Sequence, residues 1–236
     1  MRGKAHLLDY LFPRRCAVCD GITDSPGEPV CRGCRGKIGY IKEPCCMKCG
    51  KQLKKEEKEY CGDCTQKEHF YQQGTALYDY GSMADSIFRF KYGGRMEYAL
   101  FYGKELYERK GSWLHAIRPD ALVPVPIHPA RKRKRGYNQA ELIARELSRH
   151  TGIPVNTSLV HRDKNTMPLK NLSYAERQNN LKRAFKMGQN DVKLSTIVII
   201  DDIYTTGSTV DSMAQALREA GIPQIYFMAL AIGRGI

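Results

Sequence analysis

Asp201 and Asp202 stand side by side at the end of the apolar run Ile197-Val-Ile-Ile200. After Ile203 and Tyr204 come five small or hydroxylated residues, Thr205, Thr206, Gly207, Ser208 and Thr209. The run is short and β-branched, which predicts a buried strand. Val210, Met213, Ala214, Leu217 and Ala220 then recur on one helical face, with Gly221 as the stop. Strand, polar loop and helix N-terminus, in that order, turn backbone N–H groups and hydroxyls toward an anion, and the helix dipole favours negative charge there. Carboxylates do not attract phosphate; they accept hydrogen bonds from hydroxyls. The whole arrangement therefore suits a ligand with a phosphate at one end and a diol at the other. A ribose 5-phosphate fits, with its phosphate on 205–209 and its 2′ and 3′ hydroxyls on Asp201 and Asp202. The plain alternative is a strand–turn–helix whose hydroxyls only cap the helix.

This stretch resembles the signature with which type I phosphoribosyltransferases bind phosphoribosyl pyrophosphate (PRPP). If the likeness extends to chemistry, Asp201 and Asp202 act as the catalytic pair, holding the ribose and stabilising positive charge that develops on it. Thr205, Thr206, Gly207, Ser208 and Thr209 anchor the 5′-phosphate.

Eight of the nine cysteines form four Cys-x-x-Cys pairs: Cys16/Cys19, Cys31/Cys34, Cys46/Cys49 and Cys61/Cys64. Two thiolates in this spacing grip one Zn²⁺ from a tight turn, and two such turns complete a tetrahedral site. Four pairs predict two structural zinc ions with no open coordination position. A segment of about 70 residues with few large apolar side chains gains folding energy from metal that its core cannot supply. The uniform spacing permits sequential sites, which close shorter loops and are favoured here, or interleaved ones. The rival disulfide framework finds no signal sequence and an odd cysteine count; four repeats are also too many for a redox motif. Cys45 falls outside the pattern.

The 236 residues carry a formal net charge of +13. Residues 1–70 hold 14 Lys and Arg against 10 Asp and Glu. Eight thiolates on two Zn²⁺ ions carry four net negative charges, which cancel that surplus. The basic excess then belongs to the remainder, which implies anionic ligands such as nucleotides or nucleic acid. No apolar run approaches the ~20 residues of a membrane-spanning helix, and the N-terminal segment lacks a clear signal-peptide core. Leu7, Leu8, Leu11 and Phe12 read as a short amphipathic helix.

A polar stretch at 65–69 marks the boundary between a cysteine-rich domain, 1–69, and a second domain, 70–236. In the second, a strand is expected over 75–80, helices over 83–91 and 98–109, and a strand over 120–126. The segment after Pro126 carries His128 and five consecutive cations, Arg131, Lys132, Arg133, Lys134 and Arg135, before Gly136 and Tyr137. It reads as a loop leading into a helix at 139–150. Such a run repels itself unless an anion is near; the plain reading is a solvated loop. Placed opposite 197–209, the loop would meet a pyrophosphate or a nucleic-acid backbone, with Pro126 and His128 beside the ligand. Residues 161–173 read as an irregular basic lid. Ser173 and Glu176 follow as a capping box, and the last strand spans 224–232. Strands alternating with helices predict a parallel α/β sheet with its ligand site at the carboxyl ends of the strands.

Taken together, the Cys-x-x-Cys array with Cys46-Met-Lys-Cys49-Gly50, Val123-Pro-Val-Pro126, Arg135-Gly-Tyr-Asn-Gln139, Arg177-x-x-Asn180 with Phe185, and Asp201-Asp-x-x-Thr-Thr-Gly-Ser-Thr209 resemble the ComF (ComFC/GntX-like) family. The resemblance covers nearly the whole chain. It implies a double zinc ribbon followed by a type I phosphoribosyltransferase-like domain, and a role in natural transformation. There the protein would handle single-stranded DNA in the cytoplasm, at or near the inner face of the membrane, with the helicase ComFA and the mediator DprA as partners. One position departs: Arg162, Lys164 and Thr166 fit a family pattern, but Leu169 stands where that pattern has glutamine.

Three functions follow. The first is DNA handling with PRPP as ligand or signal, in which Arg131–Arg135 track phosphates and Tyr137 stacks bases. The second is active transfer of phosphoribose from PRPP with Mg²⁺ to a base, for which no general base or nucleobase pocket is legible. The third is an adaptor with a vestigial site, against which the intact 201–209 motif argues. Fold and ligand site alone do not establish turnover.

Overall fold

The computed structural model describes residues 13–24, 27–53, 59–162, 185–188 and 193–233. The expected N-terminal amphipathic helix, the Ser173–Glu176 capping box, Arg177, Asn180 and Leu169 lie outside these residues, as does most of the expected basic lid.

Four parallel strands form the central sheet: β1 (Gly74–Asp79), β2 (Ala121–Pro124), β5 (Thr196–Tyr204) and β6 (Gln224–Ile232), in the spatial order β1-β6-β5-β2. Strands β3 (Val160–Arg162) and β4 (Phe185–Met187) pair antiparallel as a separate two-stranded sheet. Both faces of the central strands are buried, which explains their unbroken apolar runs. Ile197 and Ile199 pack on one face with Ile225 and Phe227; Val198 and Ile200 pack on the other with Met228 and Leu230.

Helices α3 (Tyr80–Tyr92), α4 (Tyr98–Ile117) and α6 (Gln139–Thr151) cover the second face through Ile87, Phe90, Tyr102, Leu106, Ile143 and Leu147. Helix α7 (Ser208–Glu219) covers the first through Val210, Met213, Ala214 and Leu217. The α4 helix runs eight residues past its expected end, to an Arg118 in the left-handed conformation.

The cysteine-rich segment, which carries the short helices α1 (Arg32–Arg35) and α2 (Gly62–Gln66), wraps the β1 edge. Ile41 N–H donates to the Leu77 carbonyl and Asp79 N–H to the Gly39 carbonyl, at 3.0 Å each. Its first half, with Cys16, Val30 and Cys34, joins the α3–α4 core. Its second half, with Cys46, Cys49, Leu53 and Cys61, joins the α7 core. The first half is fastened by Asp20, which pairs with Arg95 at 2.7 Å and accepts from the Tyr98 hydroxyl at 2.6 Å.

The 129–135 segment departs from its expected loop. It forms helix α5 (Pro129–Arg135), with proline in its first turn, the His128 ring accepting from Ala130 N–H, and Gly136 at φ 86° closing its C-terminus. Cations crowd its last turn, where the helix dipole favours them.

The approach of β1 to β6 leaves no room for a side chain at Gly74: a Cβ there would lie 1.8 Å from the Phe227 ring. Gly74→Ala is therefore expected to destabilise the protein by about 1–3 kcal/mol. A lowered denaturation midpoint checks this, and an unchanged midpoint would show that Phe227 repacks freely.

Candidate functional site

Strands β2 and β5 are neighbours, with Ile200 level with Pro124. The chain leaves β2 toward α5 and α6 on one face and leaves β5 toward α7 on the other. Such a divergence opens a crevice at the carboxyl ends of the two strands. It gathers Pro126 and His128 from one side, and Asp201, Asp202 and the 205–209 loop from the other.

β5 stays a regular strand through Tyr204, so Asp201 and Asp202 leave it on opposite faces. Asp201 is buried and Asp202 is partly exposed. Asp201 Oδ1 accepts from the Asp202 N–H at 2.8 Å. Burial, reinforced by the like charge of Asp202, pushes the Asp201 carboxyl up to about 7; Lys91, the Asp202 N–H and Arg162 oppose the rise. Asp202 meets Lys91 Nζ at 2.9 Å. Lys91 comes from the last turn of α3, a contributor that sequence reasoning missed. Its only local signal is a cation placed just before the Tyr92-Gly93-Gly94 break.

The hydroxyl loop is positioned from below. Gly207 adopts φ 76°, and a Cβ there would approach the Tyr204 hydroxyl to 2.4 Å. That hydroxyl lies 2.7 Å from the hydroxyl of Tyr71, and the Tyr204 ring stacks on Phe227 with centroids 4.6 Å apart. Gly207 is the N-cap of α7 and supplies no side-chain acceptor. Thr205 and Thr206 are exposed, Ser208 and Thr209 half-buried, and the Thr206 and Ser208 hydroxyls lie 2.8 Å apart.

On the opposite side, Arg131, Lys132, Arg133 and Lys134 are exposed, and Lys132 reaches Glu141 at 3.7 Å. Arg135 lies over the Tyr92 ring and donates to Gln139 at 2.5 Å. A cavity of about 430 Å³ opens here, lined by Pro124, Pro126, Ile127, Lys132, Asn138 and Arg162 among others. Tyr137 does not present its ring for stacking as expected. It is buried against Phe90, and its hydroxyl donates to the Phe90 carbonyl. The apolar packing of α3 claims this ring.

The cysteines fall into two groups, Cys16/Cys19/Cys31/Cys34 and Cys46/Cys49/Cys61/Cys64, each with its sulfurs within 4.8 Å of one another. The sequential pairing is thus the one the fold brings together. The groups repeat with matching bonds. Cys31 N–H donates to Cys16 Sγ at 3.4 Å and Cys61 N–H to Cys46 Sγ at 3.3 Å. Asp20 and Gly50 take the same positive φ after each first knuckle. Hydrogen bonds from the Cys49 and Cys64 thiols drive Cys46 far down, while facing the Cys46 thiolate drives Cys49 and Cys64 far up. Four converging sulfurs of this kind fit Zn²⁺, which neutralises them together. Cys45 belongs to neither group; its thiol donates to the Lys42 carbonyl at 3.3 Å.

Beyond the ligands, Cys64 Sγ lies 3.4 Å from His69 Nε2, and His69 Nδ1 lies 2.9 Å from the Asp211 carboxylate in the first turn of α7. Among the described residues no helix is long and apolar enough to cross a membrane.

Residues 7–65 match the family model of a double zinc ribbon domain. Over 226 residues, 93% of this chain and 97% of the relative, the chain is 31% identical to competence protein F of Haemophilus influenzae. It is 30% identical to competence protein ComFC of Bacillus subtilis over 83% of this chain and 80% of that protein. It is 33% identical to DNA utilization protein YhgH of Escherichia coli over 72% and 76% respectively. Among solved structures, a purine phosphoribosyltransferase from Pyrococcus horikoshii aligns with 57% of this chain and 83% of its own, at a TM-score of 0.36 and 15% identity.

Two measurements follow from this geometry. Native mass spectrometry is expected to find two zinc ions per chain and one in Cys49→Ser; a single ion in the wild type would contradict two filled groups. The second concerns Asp201, whose folded-state carboxyl titrates near 7 against about 3.9 unfolded. The native state therefore keeps a proton that the unfolded chain has lost, and stability declines as pH rises from about 4 to about 7. Asp201→Asn removes that decline, so its Tm relative to wild type should rise between pH 5 and pH 8. A constant difference would show that Asp201 ionises normally.

Proposed function

This chain belongs to the ComF family of competence proteins, and from that premise we propose that it serves DNA uptake in natural transformation. In this reading it handles incoming single-stranded DNA while a ribose phosphate, PRPP with Mg²⁺, occupies the crevice between β2 and β5. Support comes from the relatives' names, competence protein and DNA utilization protein. The observation that carries the ligand assignment is the carboxyl end of β5, where the paired carboxylate Asp201–Asp202 is followed by a helix N-terminus whose cap, Gly207, takes none of its N–H groups for a side chain.

The roles divide as follows. Thr205, Thr206, Ser208 and Thr209, with the first N–H groups of α7, receive the 5′-phosphate. Asp202 accepts from the ribose hydroxyls, with Lys91 holding its orientation. Asp201 braces Asp202 through its backbone N–H. The β2 exit, Pro126 to His128, faces the pyrophosphate and Mg²⁺; His128 Nδ1 is occupied by Ala130 N–H, which leaves Nε2 for a ligand. Residues 1–69 serve as the zinc-ordered module and residues 70–236 as the ligand-binding one. ComFA and DprA are the proposed partners, met on the cytoplasmic side, at or near the membrane.

Active phosphoribosyl transfer is the second reading, favoured by the cavity of about 430 Å³ beside Pro126, which has room for an acceptor base.

Calorimetric titration of Mg²⁺–PRPP into the zinc-loaded protein tests the ligand assignment. Micromolar-range binding is expected in the wild type. Asp201→Ala/Asp202→Ala and Gly207→Ala should each weaken it at least tenfold. No binding to wild type would reduce the 201–209 motif to a structural feature. Pyrophosphate release that depends on one added base would move the second reading ahead of the first.

A further inference from the structure

The outer face of α3 carries two large aromatic rings in water. Phe88 is 61% and Tyr92 64% exposed, although Met83, Ile87 and Phe90 bury the opposite face of the same helix. The two rings sit one turn apart, with centroids 5.0 Å apart and planes inclined by 49°. Arg135 places its guanidinium 4.8 Å from the Tyr92 centroid. Arg135 also donates to Gln139, whose amide reaches the Lys91 carbonyl at 3.5 Å. The Tyr92 ring is thus supported from one side by a cation that is itself held in place. The exposed Arg131, Lys132, Arg133 and Lys134 share the helix of that cation.

We propose that Phe88 and Tyr92 form a base-stacking platform for single-stranded nucleic acid, with the α5 cations tracking its phosphates. The inference rests on the DNA-handling reading above and deepens it by naming where the bases lie. Its chemistry is that of aromatic faces interleaved with cations, which accept any base because every base has a π-face. The platform replaces the buried Tyr137 as the aromatic component. It also adjoins the ribose-phosphate crevice, since Lys91, which pairs with Asp202, and Tyr92 are consecutive residues. The exposed Asp85 ends the favourable region one turn before Phe88. The neighbouring Met96 and Leu100, 46% and 44% exposed, extend the apolar surface. The cations at its border favour a polyanion over an apolar protein face.

Fluorescence anisotropy with a labelled oligothymidylate, zinc-loaded full-length protein and a salt series tests this. Tm and zinc content serve as controls of folding. Phe88→Ala/Tyr92→Ala is expected to weaken binding at least tenfold while keeping the wild-type salt slope. Tyr92→Phe should retain the affinity. Arg131→Ala/Arg133→Ala should flatten the slope by about 1.4. An abasic oligonucleotide should bind wild type and the aromatic double variant equally. If wild type binds and the aromatic variant binds as well, the platform is overturned and the DNA-handling reading survives. If wild type fails to bind at low salt, both fall. Unchanged DNA binding with loss of a purified protein partner would make the face a protein-docking surface and also overturn the proposal.

Discussion

Asp211 is the joint between the two halves of the molecule. Its carboxylate is almost fully buried. It accepts from Lys67 Nζ at 2.5 Å, from the His69 ring at 2.9 Å and from the Phe70 N–H at 3.4 Å. A carboxylate so placed is tolerated because it is partnered; left with no partner it would cost on the order of 3–5 kcal/mol. The same His69 touches the sulfur of Cys64 and stacks on Tyr71, with centroids 4.8 Å apart. Tyr71 in turn meets Tyr204, directly beneath Gly207. The phosphate-type loop therefore stands on a chain of contacts that begins at a metal-ligating cysteine. The cysteine-rich segment thus shares its packing with the loop of the α/β domain.

The α/β class, the strand at 224–232, the helix after Gly207 and both cysteine tetrads are legible in the sequence, because each depends on short-range patterning. The pairing of cysteines is legible only as a preference, since uniform spacing leaves loop entropy as the sole discriminator. Two features escaped for a different reason. Tyr137 and Tyr92 are the same residue type, each close to a run of cations, and only the packing of α3 decides that one is buried and the other exposed. Lys91 reaches Asp202 across more than 100 residues of chain, a distance that no local pattern reports. The 129–135 helix was masked by its charge. Five cations read as a solvated loop until the proline, the histidine cap and the left-handed glycine are weighed together.

Electrostatics divides the crevice. Burial pushes the Asp201 carboxyl up to about 7, whereas Asp202 faces a lysine, because strand geometry sends two adjacent residues to different environments. The exposed cations of α5, Arg131, Lys132, Arg133 and Lys134, stand apart from this carboxylate pair and give the β2 side its positive face.

The bonds that fix residues 39–41 to β1 have a counterpart on the far side of the sheet. There Leu122 N–H donates to the Pro154 carbonyl, and Asn156 N–H donates to the Leu122 carbonyl. Both outer strands therefore have neighbours already, and neither offers an open ladder to a foreign strand. The central sheet is therefore occupied along its two rims, so that a passing extended chain or a second copy finds no free ladder at these positions, and what docks on this sheet's periphery must do so through side chains of the helices and loops.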